Sequence, residues 1–137
     1  DVKAQMCNRV EEKTVYWVGT IGAGEFGNIE ELTPFIRACQ ENGVSFVHQA
    51  GIDPIRQRDC ITRSFLAPAI VGRWQQEKGY IPCRIFKNIS YGKMGLTNSY
   101  RVYELFEKKS STIQIRTNCF WMGNKPYTPF LKKNSFF

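Results

Sequence analysis

The chain has a single histidine, His48, and its five cysteines, Cys7, Cys39, Cys60, Cys83 and Cys119, stand far apart. No C-x-x-C, C-x-x-C-H or H-x-x-x-H pair occurs, so the spacings of a local zinc or haem site are missing. No metal ligands and no cofactor are expected. An odd set of scattered thiols is also no disulfide framework, and the simpler reading is a reducing, intracellular compartment, cytoplasmic or nuclear. Long apolar runs are absent as well. The longest, Phe65 to Val71, is interrupted by Pro68 and falls far short of the roughly 20 residues that cross a bilayer. The first residues, Asp1-Val2-Lys3-Ala4-Gln5, have neither a basic nor an apolar stretch of the signal-peptide kind, so no leader is expected.

What is present suits one folded unit. At 137 residues, 42% hydrophobic and 14% aromatic, the chain can bury a core of single-domain size and is too apolar for disorder. The expectation is therefore one domain over 1–137, less regular from about residue 123. Acidic residues are scarce in the second half. Residues 1–60 hold six Lys and Arg against nine Asp and Glu, a net −3, whereas residues 61–137 hold thirteen against three, a net +10. A field of one sign draws anionic partners.

Lys13 to Ile21 is β-branched and aromatic on both faces, which predicts a central strand. Thr33-Pro34 reads as a cap followed by proline at the first helical position, with Gly43 as the stop, giving a helix over about Pro34 to Asn42. Val44 to Gln49 reads as a second strand. Asp53-Pro54 repeats the cap signal and opens a second helix, which Pro68 must break or kink. The segment resumes through Ile70, Val71 and Trp74 and ends at Gly79. Cys83 to Ser90 reads as a strand. Tyr100 to Phe106 fits strand or helix. Thr112 to Met122 alternates, with Gln114, Arg116, Asn118 and Phe120 on one face. The order β-α-β-α-β-(β or α)-β predicts an α+β domain with a mixed sheet of about five strands, the C-terminal ones antiparallel.

After the first strand comes Gly22-Ala23-Gly24-Glu25-Phe26-Gly27. With Ile21 it resembles the glycine-rich loop of protein kinases over seven residues, but the V-A-I-K, H-R-D and D-F-G elements of a kinase are all missing. It also resembles the dinucleotide-binding G-x-G-x-x-G. Against that resemblance stand a helix starting only at Pro34, the carboxylates of Glu25, Glu30 and Glu31 near any phosphate, and no acidic residue ending the second strand. The loop is expected to be a structural connection, and a nucleotide site is the alternative.

Paired titratable groups for acid–base chemistry are few. Asp59 and Arg63, four apart, are expected to pair with each other. His48 lies in an apolar strand and reads as structural, while a Cys39–His48 or Cys83–His48 dyad keeps a small enzyme as the third reading. No catalytic residue is assigned. The leading expectation comes from the basic second half. Extended strands would place Arg84 and Phe86, Arg101 and Tyr103, and Arg116 and Phe120 on sheet faces, with Lys125, Lys132 and Lys133 continuing the charge. Arginines between exposed rings are what a platform for RNA or single-stranded DNA needs, because rings stack on bases and guanidinium groups meet phosphates. The alternative partner is an acidic protein or peptide, since arginine and aromatics also mark protein interfaces.

Overall fold

The computed structural model describes residues 13–93, 95–107 and 119–121. Strand β1 (Thr14–Val18) carries T-V-Y-W-V, with Val15, Trp17 and Val18 buried and Thr14 and Tyr16 half-buried. A strand covered on both faces belongs inside a sheet. On one side β2 (Ser45–Gln49) pairs with it in parallel, Thr14 opposite Ser45 through Val18 opposite Gln49. On the other side runs the approach to β3 (Ala67–Ala69), where the Phe65 N–H donates to the Thr14 carbonyl at 2.8 Å and the Tyr16 N–H to Ser64 Oγ at 2.9 Å. Strand β3 pairs with β4 (Gly95–Thr97), and β4 with β5 (Cys119–Trp121), both in parallel. The strands thus lie in the order β2-β1-β3-β4-β5, as a two-stranded and a three-stranded ladder with β1 beside β3.

The expected mixture of helix and strand is present, but the expected single sheet with antiparallel C-terminal strands is not. Every described pairing is parallel. The reason is the connections: a helix separates each strand from the next, and a crossover of that kind returns the chain to the same end of the sheet. These helices are α1 (Ile29–Glu41), α2 (Pro54–Arg63), α3 (Arg73–Glu77), α4 (Cys83–Ser90) and α5 (Tyr100–Glu107). Of the alternating stretch Thr112 to Met122, only β5 falls within the described residues.

Helix α1 starts five residues before Pro34. Thr33 is no cap: its Oγ1 donates back to the Ile29 carbonyl at 2.7 Å, and Pro34 sits on the exposed side of the second turn. Leu32, Phe35, Ala38 and Cys39 form the buried stripe and pack on Val15, Trp17 and Leu96 in the main core. Burying side chains of this size stabilises by about 1.5–3 kcal/mol each. Helix α2 begins as its sequence predicts, with Asp53 Oδ1 accepting from the N–H groups of Ile55 and Arg56 at 2.9 and 3.0 Å. It ends at Arg63, and Pro68 lies in β3 instead of kinking a helix.

Residues 83–90 are helical, and the strand reading is corrected. Ile81, Ile85 and Ile89 recur every four residues and gather with Ala69 and Val102 in a second cluster, a helical period that outweighs the two-residue alternation. Buried Asn88 fixes the helix on the sheet by donating to the Ala67 carbonyl at 3.0 Å. Helix α5 settles the ambiguous segment from Tyr100. Among the described residues, no helix is long and apolar enough to cross a membrane.

Candidate functional site

The chain leaves β1 towards β2 on one side, while β3 leads away towards β4 on the other. Between the carboxyl ends of β1 and β3 the connections therefore diverge, and a crevice opens there, as parallel sheets place their ligand sites. It has a volume of about 330 Å³ and is lined by Trp17, Gly22, Phe26, Val71, Tyr80 and Arg84 among others, a size within the range of small-molecule sites.

One wall is the glycine loop. The Gly22 carbonyl accepts from the N–H groups of Asn28 and Ile29 at 2.9 and 3.0 Å, and the Gly22 N–H donates to Asn28 Oδ1 at 3.0 Å. These bonds close the loop on itself and start α1 two residues after Gly27, so the positive end of the helix stands beside the loop. The gap inferred from a helix starting at Pro34 does not exist. The next wall is the turn after β3. A Cβ on Gly72 would lie 1.8 Å from the Gly27 carbonyl oxygen, and one on Gly27 2.2 Å from that of Gly22. Only glycines permit these backbones to touch. Asn98 holds the same turn from behind: its amide accepts from the Val71 N–H and donates to the Val71 carbonyl, both at 2.9 Å.

Arg84 enters from the first turn of α4. Its guanidinium lies over the indole of Trp17, 4.1 Å from the ring centroid, and Nη1 donates to the Val18 carbonyl. Gly19 makes room, since a Cβ there would stand 2.2 Å from Arg84 Nη2. Burial pushes the arginine's pKa down from its ordinary value, opposed by smaller contributions from Cys83 and Tyr80. The ion pairs formed among the described residues are Asp59–Arg63 at 3.0 Å, the pair expected from the sequence, and Arg101–Glu104 at 2.7 Å. Neither involves Arg84. The carboxylates of Glu25, Glu30, Glu31 and Glu77 line a separate cleft with Arg73 and Trp74, and Glu31 accepts there from the Arg73 N–H at 2.8 Å. Among the described residues, no acidic side chain lines the crevice itself.

The residues expected on a common sheet face are distributed otherwise. Arg84 and Phe86 lie on α4, the first in the crevice and the second exposed. Arg101 and Tyr103 lie on α5, where Arg101 pairs with Glu104 and the Tyr103 ring stands 6.0 Å from that of Tyr100. Phe120 belongs to β5; Arg116, Lys125, Lys132 and Lys133 lie outside the described residues. His48 is exposed, with Nε2 2.7 Å from the Gly19 carbonyl oxygen. Cys39 is buried in the core, its thiol pushed up to about 12 by desolvation. The sequence pattern does not single out Trp17, Gly19, Gly72 or Tyr80, and the glycine loop, expected to be a structural connection, joins β1 to α1 at this edge. No protein-family model, curated protein or solved structure matches the chain.

Proposed function

We propose that the chain binds a phosphate-bearing small molecule in the crevice at the carboxyl ends of β1 and β3. The observation that carries this reading is Arg84, a half-buried guanidinium in a crevice that no acidic side chain lines among the described residues. A charge removed from water is costly unless something opposite in sign meets it, and the planar fork of arginine suits phosphate oxygens. The first turn of α4, where Cys83 and Arg84 line the crevice, adds a favourable dipole at the same edge. The test is calorimetric titration with inorganic pyrophosphate. Wild-type chain is expected to bind it, and a folded Arg84→Gln variant to lose at least tenfold in affinity. Equal affinity in the two would refute the assignment.

The second reading is the nucleic-acid partner, RNA or single-stranded DNA. It is favoured by the +10 charge of residues 61–137 and by exposed Arg56, Arg58 and Arg63 on α2, beside Lys87, whose Nζ lies 2.5 Å from Gln57 Oε1. Anisotropy with labelled single strands across a salt series tests it, since phosphate contacts make log affinity fall linearly with log salt. Capture of an acidic protein that survives nuclease treatment, with no binding to the labelled strands, would instead favour the protein partner. Cys39, Cys60 and Cys83 are free thiols, which supports a reducing, intracellular location.

A further inference from the structure

Resting on the phosphate reading of the crevice, we infer that its ligand is a nucleoside diphosphate, with the base laid against Phe26 at the crevice mouth. Phe26 is 69% exposed at the tip of the glycine loop, where a phenylalanine gains little from folding and leaves apolar surface in water. Its ring is nevertheless held in place. Trp74 of α3 meets it edge-on, with centroids 5.1 Å apart and planes at 79°. Such a contact fixes one aromatic ring through the other.

Tyr80 is the second exposed ring at the crevice, 44% accessible. Its backbone is anchored on both sides: the N–H donates to the Gln75 carbonyl at 2.9 Å and the carbonyl accepts from Ser99 Oγ at 3.0 Å. The crevice therefore joins a cationic floor, Arg84 over Trp17, to a mouth with two exposed rings, Phe26 held by Trp74 and Tyr80 on an anchored backbone. Phosphate alone uses the floor and leaves the mouth empty. A ligand with charged groups at one end and a planar π-system at the other uses both, and stacking of a base on an aromatic side chain is tolerant of which base it is.

Size and the second strand narrow the class. About 330 Å³ is near the lower end of small-molecule sites, which suits one nucleoside and its phosphates. A dinucleotide of the nicotinamide kind is disfavoured also by the end of β2, where Gln49 stands and no carboxylate follows to hold a ribose hydroxyl. Asp53 is engaged in capping α2.

The experiment is calorimetric titration of the whole chain with inorganic pyrophosphate, uridine diphosphate, adenosine diphosphate and NAD. Both nucleoside diphosphates are expected to bind about tenfold or more tighter than pyrophosphate, and NAD more weakly than either. Phe26→Ala, at an exposed position, is expected to bring the nucleoside diphosphates down to the pyrophosphate affinity and to leave pyrophosphate unchanged. Arg84→Gln is expected to weaken all of them. Nucleoside diphosphates binding no tighter than pyrophosphate would overturn the base subsite while leaving the phosphate reading intact. So would Phe26→Ala having no effect or weakening pyrophosphate equally, and NAD binding tightest would overturn the mononucleotide class. Binding of no anion by the wild-type chain would overturn the phosphate reading, and this inference with it.

Discussion

The Arg84 guanidinium covers the indole of Trp17 at 4.1 Å and at the same time caps the Val18 carbonyl at the end of the same strand. One side chain thus joins α4 to β1 through a cation–π contact and a hydrogen bond. Arg84→Lys keeps the charge but loses the planar stack and the second donor arm. The expected cost is about 1–2 kcal/mol of stability, read as a lower urea midpoint at unchanged slope, together with an altered Trp17 emission.

Gly72 and Gly43 make a matched pair of alanine substitutions. At Gly72 the new methyl meets the Gly27 carbonyl oxygen at 1.8 Å, whereas at Gly43, with φ +67°, nothing lies within 4 Å. Gly43→Ala is expected to cost only the local strain of a left-handed residue, about 1–2 kcal/mol. Gly72→Ala forces two backbones apart and is expected to cost more, and it alone should also reduce pyrophosphate affinity. Thermal melts and titration of both variants check this.

Asn98→Asp changes one atom group in a buried clamp. The wild-type amide both accepts from and donates to Val71 at 2.9 Å, while a carboxylate can only accept and would face the Val71 carbonyl oxygen. Leaving buried polar groups mismatched costs about 1–3 kcal/mol or more for a charged group. A lower melting temperature that recovers partly at acidic pH, where the aspartic acid regains a donor, is the expected result.

Asp53 provides a pH dependence whose sign is set by its capping bonds. Hydrogen bonds from the backbone, that of Arg56 foremost, hold its carboxyl below the ordinary value. Stability from the ionised cap is therefore complete above the unfolded-state pKa of about 3.9 and is lost as pH falls through the lower folded-state value. The stability difference between wild type and Asp53→Ala should stay constant from pH 7 to 5 and shrink below pH 4, as denaturation at each pH would report.

The described cysteines should separate by reactivity. Cys39 is buried and its thiol is raised to about 12, so almost none of it is the reactive thiolate at neutral pH. Cys83 is exposed at the crevice. Brief iodoacetamide treatment and peptide mapping should find Cys83 alkylated and Cys39 untouched until denaturant is added, and pyrophosphate should slow alkylation at Cys83.

Local signals carried much of the fold. The β-branched and aromatic run around Trp17 and the Asp53-Pro54 cap each depend on neighbours in the chain, and β1 and α2 lie where those residues predict. Thr33-Pro34 has the letters of a cap followed by proline, yet the same letters occur where proline falls in the second turn of a longer helix, as it does in α1. The isoleucines at 81, 85 and 89 carry the helical period there, and the two-residue alternation of Cys83 to Ser90 is one that packing does not use. The crevice was less legible for a different reason. Val18 and Arg84 are 66 residues apart, and Gly27 meets Gly72 only because β1 and β3 lie side by side. Contacts of that kind follow from strand order, which the sequence pattern left antiparallel where the structure is parallel.

The touching backbones of Gly27 and Gly72 have a kinetic consequence. They tie the loop after β1 to the turn after β3, so the two walls are already set at their final separation before anything arrives. Little conformational entropy remains to be surrendered on association, and little change of shape is required. Association should then proceed at a rate governed by encounter and by stripping water from Arg84, with no slow ordering phase in a stopped-flow trace.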